Sequence, residues 1–296
     1  MSETIASPSV RVLAQEKGID IDALAKKLGR TTIGREDLEG TATPAAAAAA
    51  PSAGTSYWNV DHSQYGPVTE EPMSRFAKVA SANLSAANQL IPQVTHHDRA
   101  DVSGIEALRK AWKGEAIARG VKLTALAFHV KALARALREF PRFNASLSAD
   151  GETLYLKDFV HIGIAVDTPH GLMVPVIRDA DRKGLWQIAA EITDLASRAQ
   201  ARKIAPDEMG GASMSISNLG GLGGTAFTPI VNPPEVAILG ITRTETITVW
   251  DGDTPRPVPM VPLDLSYDHR VINGADAARF MTYLAGLIAD PRRMMI

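Results

Sequence analysis

Residues 41–54, Thr-Ala-Thr-Pro-Ala-Ala-Ala-Ala-Ala-Ala-Pro-Ser-Ala-Gly, lack the side chains needed for a core, and they divide a chain of 296 residues into two unequal parts. Alanine with interspersed proline makes a soluble, semi-extended tether. The alternative, an alanine helix, is bracketed by Pro44 and Pro51, and so short an isolated helix is marginal in water. The sequence therefore predicts a small unit over 5–40, a linker over 41–56 and a large unit over 57–296. The large unit is long enough for one core of about 200 to 250 residues.

Composition narrows the classes. With 45% hydrophobic residues the chain can bury a substantial core, and a formal charge of -2 gives no electrostatic reason to expect a nucleic-acid partner. There is no cysteine, which excludes disulfides, thiolate metal sites and a cysteine nucleophile. Any thiol chemistry must use sulfur brought by a cofactor or substrate. No apolar run approaches the roughly 18 residues of a membrane span and no signal peptide opens the chain, so no membrane partner and a cytoplasmic location are expected.

The 5–40 segment is too short for an ordinary core. Ser7 suits a helix N-cap and Pro8 the first helical position, while Val10, Leu13 and Ala14 form an apolar face that Gly18 ends. A second helix is expected to open at Asp20 or Asp22 and to carry Leu24 and Leu28, followed by a loop over 34–38 into a final turn. Beyond residue 57 helical and strand periodicities alternate. They predict helices over 75–89, 104–118, 124–140 and 185–201 and one at the C-terminus. They predict strands over 94–102, 160–166, 172–177, 212–216, 236–241, 244–250 and 258–267. Strands in short succession over 236–267 favour an α/β fold with a mixed (α+β) sheet over a doubly wound parallel one.

The run Leu265-Ser266-Tyr267-Asp268-His269-Arg270-Val271-Ile272-Asn273-Gly274 closes an apolar strand with a histidine between two charged residues. A neutral imidazole at cellular pH can take a proton from a thiol or hydroxyl. A lone histidine can equally be structural. Here the Asn273-Gly274 turn and the helix restarting at Ala275 place His269 on a fixed strand-turn-helix corner, with Asp268 and Arg270 read as holding it by hydrogen bonds. There is no Gly-x-Ser-x-Gly elbow to support a covalent serine enzyme. Gly220-Gly221-Leu222-Gly223-Gly224-Thr225 lacks the Gly-Lys-Ser/Thr of a phosphate loop and reads as tight turns. His96, His97, His161 and His170 show no metal-ligand spacing, and no metal is expected.

With His161-Ile162-Gly163-Ile164-Ala165-Val166-Asp167-Thr168-Pro169, Gly171-Leu172-Met173-Val174-Pro175-Val176 and Ser215-Ile216-Ser217-Asn218-Leu219-Gly220, the histidine run resembles the dihydrolipoyl acyltransferases, core enzymes of the 2-oxo-acid dehydrogenase complexes. The likeness covers nearly all of the chain from Ser7 and is strongest to the pyruvate dehydrogenase type. It implies a coenzyme A-dependent acyltransferase fold resembling chloramphenicol acetyltransferase, preceded by a small helical subunit-binding domain. It implies transfer of an acetyl group from acetyl-dihydrolipoamide to coenzyme A, with His269 as general base on the coenzyme A thiol and Ser217 as hydroxyl donor to the tetrahedral oxyanion. Asn273 stands where the family motif usually has Asp and is a third catalytic candidate, while Ser74 and Arg75 in Met73-Ser74-Arg75 match the segment that meets coenzyme A.

The same resemblance implies partners. The opening Ala6-Ser7-Pro8-Ser9-Val10-Arg11 is similar to that of the peripheral-subunit-binding domain, although the usual Gly-Thr-Gly-Pro-x-Gly-Arg loop is here Leu28-Gly29-Arg30-Thr31-Thr32-Ile33-Gly34-Arg35. Arg11, Lys26, Lys27, Arg30 and Arg35 would meet an acidic surface on the decarboxylating pyruvate dehydrogenase subunit or on dihydrolipoamide dehydrogenase. The lipoyl group would arrive on a lipoyl domain absent from this chain. Homotrimers would share sites between neighbours and assemble into a 24-mer cube, or alternatively a 60-subunit shell, through Phe280, Leu284, Leu287, Ile288 and Met294-Met295-Ile296. An acetoin or other 2-oxo-acid dehydrogenase complex, a non-catalytic scaffold and a stand-alone acetyltransferase are the competing readings.

Overall fold

The computed structural model describes residues 4–34, 37–38, 58–169 and 171–295. The chain parts into two compact units, Met1–Glu71 and Pro72–Ile296. The linker expected over 41–56 lies outside the described residues, as do Arg35 and His170.

In the first unit Ser7 caps helix α1 (Pro8–Glu16) by accepting from the Val10 amide, and Asp20 caps α2 (Ile21–Leu28) by accepting from Asp22 and Ala23. Gly29, at φ 64°, ends α2 in the left-handed conformation that glycine adopts without penalty. Val10, Ala14, Leu24, Ala25, Ile33 and Leu38 form a small core. Leu28, expected on the apolar face, is instead 42% exposed. Two short strands absent from the periodicity, β1 (Ile5–Ala6) and β2 (Thr32–Ile33), pair in parallel. Arg30 is engaged by Asp37 and Arg11 by the Thr4 carbonyl, so both candidate docking cations also serve the unit's own fold.

The second unit is built on a mixed sheet. Its strands are β3 (Gln93–Asp101), β6 (Ile162–Ile164), β7 (Val176–Ile177), β8 (Met214–Asn218), β9 (Ala237–Ile241), β10 (Glu245–Asp251) and β11 (Thr254–Asp268). On one side β11 pairs first with β10 and then with β9, from which the sheet runs on through β8 and β6 to β7, and on its other side β11 pairs with β3. β8 lies parallel to both β6 and β9, and the remaining pairs are antiparallel. Leu263, Leu265 and Tyr267 of β11 enter the main core, whereas Asp264, Ser266 and Asp268, also buried, alternate with them on the opposite face. The helices of this unit are α3 (Arg75–Leu90), α4 (Ser103–Ala111), α5 (Lys113–Ala118), α6 (Ala125–Glu139), α7 (Leu185–Gln200) and α8 (Gly274–Ala289). α6 packs against α7 and α8, burying Phe128, Leu133 and Leu137 beside Phe280 and Leu284. α3 is different. It buries only Ala87 and leaves Phe76, Val79, Leu84 and Leu90 exposed.

Several expectations are corrected. The helix over 104–118 divides at Trp112, which leaves helical dihedrals where its ring packs 6.0 Å from that of Trp186 on α7. The strand over 172–177 shrinks to β7 and single bridges at Val166↔Met173 and Pro175↔Met209. A hairpin of β4 (Ala145–Leu147) and β5 (Leu154–Leu156) was not expected. β11 begins earlier than predicted, at Thr254, despite Pro255, Pro257 and Pro259. Successive amides in a strand point to opposite sides, so prolines at alternate positions all turn the missing N–H away from β10. Phe280, Leu284, Leu287 and Ile288, expected to join trimers, are at most 1% exposed in the chain's own core, and Met294 is 2% exposed. Amphipathic α8 has used that face to close its own unit. Of the three terminal residues, Met295 is 46% exposed and Ile296 lies outside the described residues.

Candidate active site

Ser217 lies within β8, one residue past the predicted strand end, and is half-buried. Met214 and Ile216 face the core, which puts Ser215 and Ser217 together on the opposite face. Among the described residues the Ser217 hydroxyl has no hydrogen-bond partner, so its donor is available. Beyond it Asn218 Oδ1 accepts from the Gly220 amide at 2.9 Å, and Leu219 O accepts from Leu222 and Gly223, folding the glycine run into turns.

The strand beneath Ser217 is anchored by groups that no sequence pattern indicated. Ser215 Oγ donates to Glu235 Oε1 at 2.9 Å, and Asn232 Nδ2 donates to the same oxygen at 3.0 Å. Burial pushes the Glu235 carboxyl above its usual range, opposed by these hydrogen bonds and the nearby Lys157 charge. Across the sheet Ser217 is in register with Gly240, Gly240 with Asp264, and Asp264 with His97. A Cβ at Gly240 would come 2.7 Å from the Phe227 ring, so glycine there lets the ring pack over the strand position in register with Ser217.

His269 follows the last residue of β11 and is exposed. Its ring lies 5.9 Å from that of Tyr267, and neither ring nitrogen has a hydrogen-bond partner among the described residues. Its amide donates to Pro92 O at 3.1 Å. Asn273 caps α8, its Oδ1 accepting from the Asp276 amide at 2.9 Å, which leaves Nδ2 for any further contact. Ser74 caps α3 through the Ala77 amide at 3.1 Å, and Arg75 opens that helix with its side chain exposed.

The fold does not bring Ser217 and His269 together within one chain. Two strand spacings, about 10 Å, separate β8 from β11, and His269 lies further along β11 than the residue level with Ser217 by roughly 17 Å. Side chains of this size cannot close such a gap. A site using both residues requires a second copy of the chain.

Residues 65–296 match the family of 2-oxoacid dehydrogenases acyltransferase (catalytic domain). The chain belongs to this family. An acyltransferase relative from Cupriavidus necator, the dihydrolipoyllysine-residue acetyltransferase component of pyruvate dehydrogenase complex, is 46% identical over 305 residues, covering 98% of this chain and 55% of that protein. The chain spans about half the length of the curated relatives it matches. Among solved acyltransferases, the Azotobacter vinelandii dihydrolipoamide acetyltransferase is 50% identical with a TM-score of 0.79, covering 80% of this chain and 98% of that one. That structure comes from crystallographic and enzymatic investigations of the role of a serine, a histidine and an asparagine in its catalytic mechanism. The cubic core of a pyruvate dehydrogenase multienzyme complex is similar at 51% identity and a TM-score of 0.79, covering 80% of this chain and 98% of that one.

Proposed function

We propose that this chain transfers an acetyl group from acetyl-dihydrolipoamide to coenzyme A as the core of a pyruvate dehydrogenase complex. The observation that carries the reading is a match of spacing: the serine, histidine and asparagine of the Azotobacter vinelandii mechanism are separated by the same intervals as Ser217, His269 and Asn273. Asparagine at the third position is thus shared with a catalytically studied relative. His269 takes the proton of the coenzyme A thiol, and the resulting thiolate attacks the thioester carbonyl. Ser217 donates its hydroxyl to the oxygen on which negative charge develops, and such donors contribute about 2.7 to 4 kcal/mol. As the intermediate collapses, the imidazolium returns the proton to the departing dihydrolipoyl sulfur. Ser74 and Arg75 bind the phosphate-bearing end of coenzyme A, Arg75 by charge.

The separation of Ser217 from His269 supports a homotrimer in which each site takes its serine from one copy and its histidine from the next. The exposed apolar residues of α3 give such copies a surface to bury. Likeness to a cubic core supports a 24-mer over a 60-subunit shell. The unit over 5–40 docks the decarboxylating dehydrogenase or dihydrolipoamide dehydrogenase, and lipoyl domains deliver the acetyl group. A cytoplasmic location belongs to the same reading; among the described residues no helix is long and apolar enough to cross a membrane. Acetyl-CoA formation from S-acetyldihydrolipoamide tests the activity directly. An assembled protein that forms none, or a His269→Ala variant with unchanged turnover, would overturn the proposal.

A further inference from the structure

We infer that Asp268 and Arg270 act as a clamp that positions His269 for proton transfer, an inference that rests on His269 being the base. Asp268 is the last residue of β11 and is buried. Its Oδ1 accepts from the Arg270 amide at 3.0 Å and from Arg270 Nε at 2.9 Å, and its Oδ2 accepts from Arg270 Nη2 at 2.6 Å. The two neighbours of His269 are thereby joined side chain to side chain, and the His269 backbone is enclosed in the ring they form. Asp268 O also accepts from the Val271 and Ile272 amides, both at 3.0 Å.

The surroundings complete the hold. The Asp268 amide donates to Val236 O at 2.8 Å, the His269 amide to Pro92 O at 3.1 Å, and Arg142 Nη2 to Val271 O at 3.0 Å. Every amide from Asp268 to Ile272 thus has an acceptor, and the corner is tied to three separate segments. A turn alone needs only a short side chain that accepts one amide, which asparagine or serine supplies. A buried carboxylate held by a bidentate guanidinium is a stiffer and more directional device. Stiffness matters here because misplacing a reacting group by about 1 Å can lower turnover roughly 100-fold. The His269 ring has no hydrogen bond of its own among the described residues, so its backbone frame carries more of the orienting.

The test uses the full chain with Arg270→Lys, Arg270→Gln, Asp268→Asn, Asp268→Ala and His269→Ala. Arg270→Lys keeps the charge and loses the fork. It should lower kcat by roughly 10-fold or more while leaving KM for coenzyme A within about twofold, because positioning acts on the chemical step. Arg270→Gln should fall further. Asp268→Asn keeps an acceptor for the Arg270 amide and should retain more activity than Asp268→Ala. Thermal melting and native mass, followed in parallel, should show the Arg270 variants folded and assembled. Wild-type kcat in both Arg270 variants, with His269→Ala inactive, would overturn the clamp and leave the base assignment standing. Losses that merely track the unfolded fraction would also overturn it. Full turnover by His269→Ala would remove the base assignment itself.

Discussion

Asp264 and His97 face each other across the β11–β3 ladder, with Oδ1 2.6 Å from Nδ1, while the other carboxylate oxygen accepts from the Phe227 amide at 3.2 Å. Asp264 is 1% exposed, and both of its oxygens are partnered, as a polar group at that depth requires. Asp264→Ala should lower the unfolding free energy by about 1 to 3 kcal/mol in urea denaturation, since it leaves the part-buried Phe227 amide without its acceptor, whereas the half-exposed His97 ring can turn to water. Asp264→Asn should lose less. Because the Phe227 ring packs over Gly240, which is in register with Ser217, acetyl transfer by the folded Asp264→Ala fraction should also slow. Wild-type stability in Asp264→Ala would show that the pair is dispensable.

Sites shared between copies predict complementation. Ser217→Ala and His269→Ala proteins should each be nearly inactive, with Ser217→Ala lowering kcat roughly 100-fold at little change in coenzyme A binding. When the two are unfolded together and refolded as mixed assemblies, some interfaces pair an intact serine with an intact histidine, and activity should reappear. Mixed assemblies as inactive as their parents would rule out the shared site.

His129 lies in α6 at 3% exposure, with neither ring nitrogen hydrogen-bonded among the described residues. Burial, reinforced by the charge of Arg109, pushes its pKa down to about 4. In the unfolded chain it titrates near ~6.5, so between the two values the unfolded state binds more protons. The contribution is whole above ~6.5 and is lost as pH falls towards the folded value, by roughly 3 kcal/mol in all. His129→Leu should flatten this acid loss in unfolding free energy measured from pH ~7 to ~5. Parallel pH profiles for variant and wild type would contradict the assignment.

The two units should separate functionally. Removing residues 1–56 should abolish capture of the dehydrogenase subunits in a pull-down and leave acetyl transfer to coenzyme A from free S-acetyldihydrolipoamide unchanged. Capture that survives the deletion would move the docking surface elsewhere.

At the C-terminus neighbouring methionines should behave differently. Met294→Ala should cost about 2 to 4 kcal/mol of stability by opening a cavity, whereas Met295→Asp should leave folding intact and shift light scattering from large assembly to trimer. An unchanged mass for Met295→Asp would exclude this residue from the contact between trimers.

Sequence was most informative where one rule acts alone. Ser7 and Asp20 cap helices because short oxygen-bearing side chains satisfy free amides, and the apolar run over 258–267 lies within the strand β11. It was least informative where distant segments decide. Nothing near Glu235 announces Ser215, Arg142 gives no sign of its bond to Val271, and the prolines of β11 concealed a strand whose edge accommodates them. The apolar stripe of α8 was visible, but its destination was not: period alone cannot distinguish a face turned to the chain's own core from one turned to a neighbour. His269 and Ser217 were legible as residues, while their separation on the sheet required the register.

β11 is paired with β10 and β9 on one side and with β3 on the other, and among the described residues β3 has no other strand partner. The centre of the sheet is therefore supplied by a strand that follows all of its strand partners in the sequence, and β3 must wait for a partner encoded far downstream. Such non-local pairing slows folding and lengthens the time for which a strand edge and its apolar residues are open to other chains. Until β11 closes at Asp268 the edge of β3 is a template for any extended chain, so completing the sheet competes with pairing between copies.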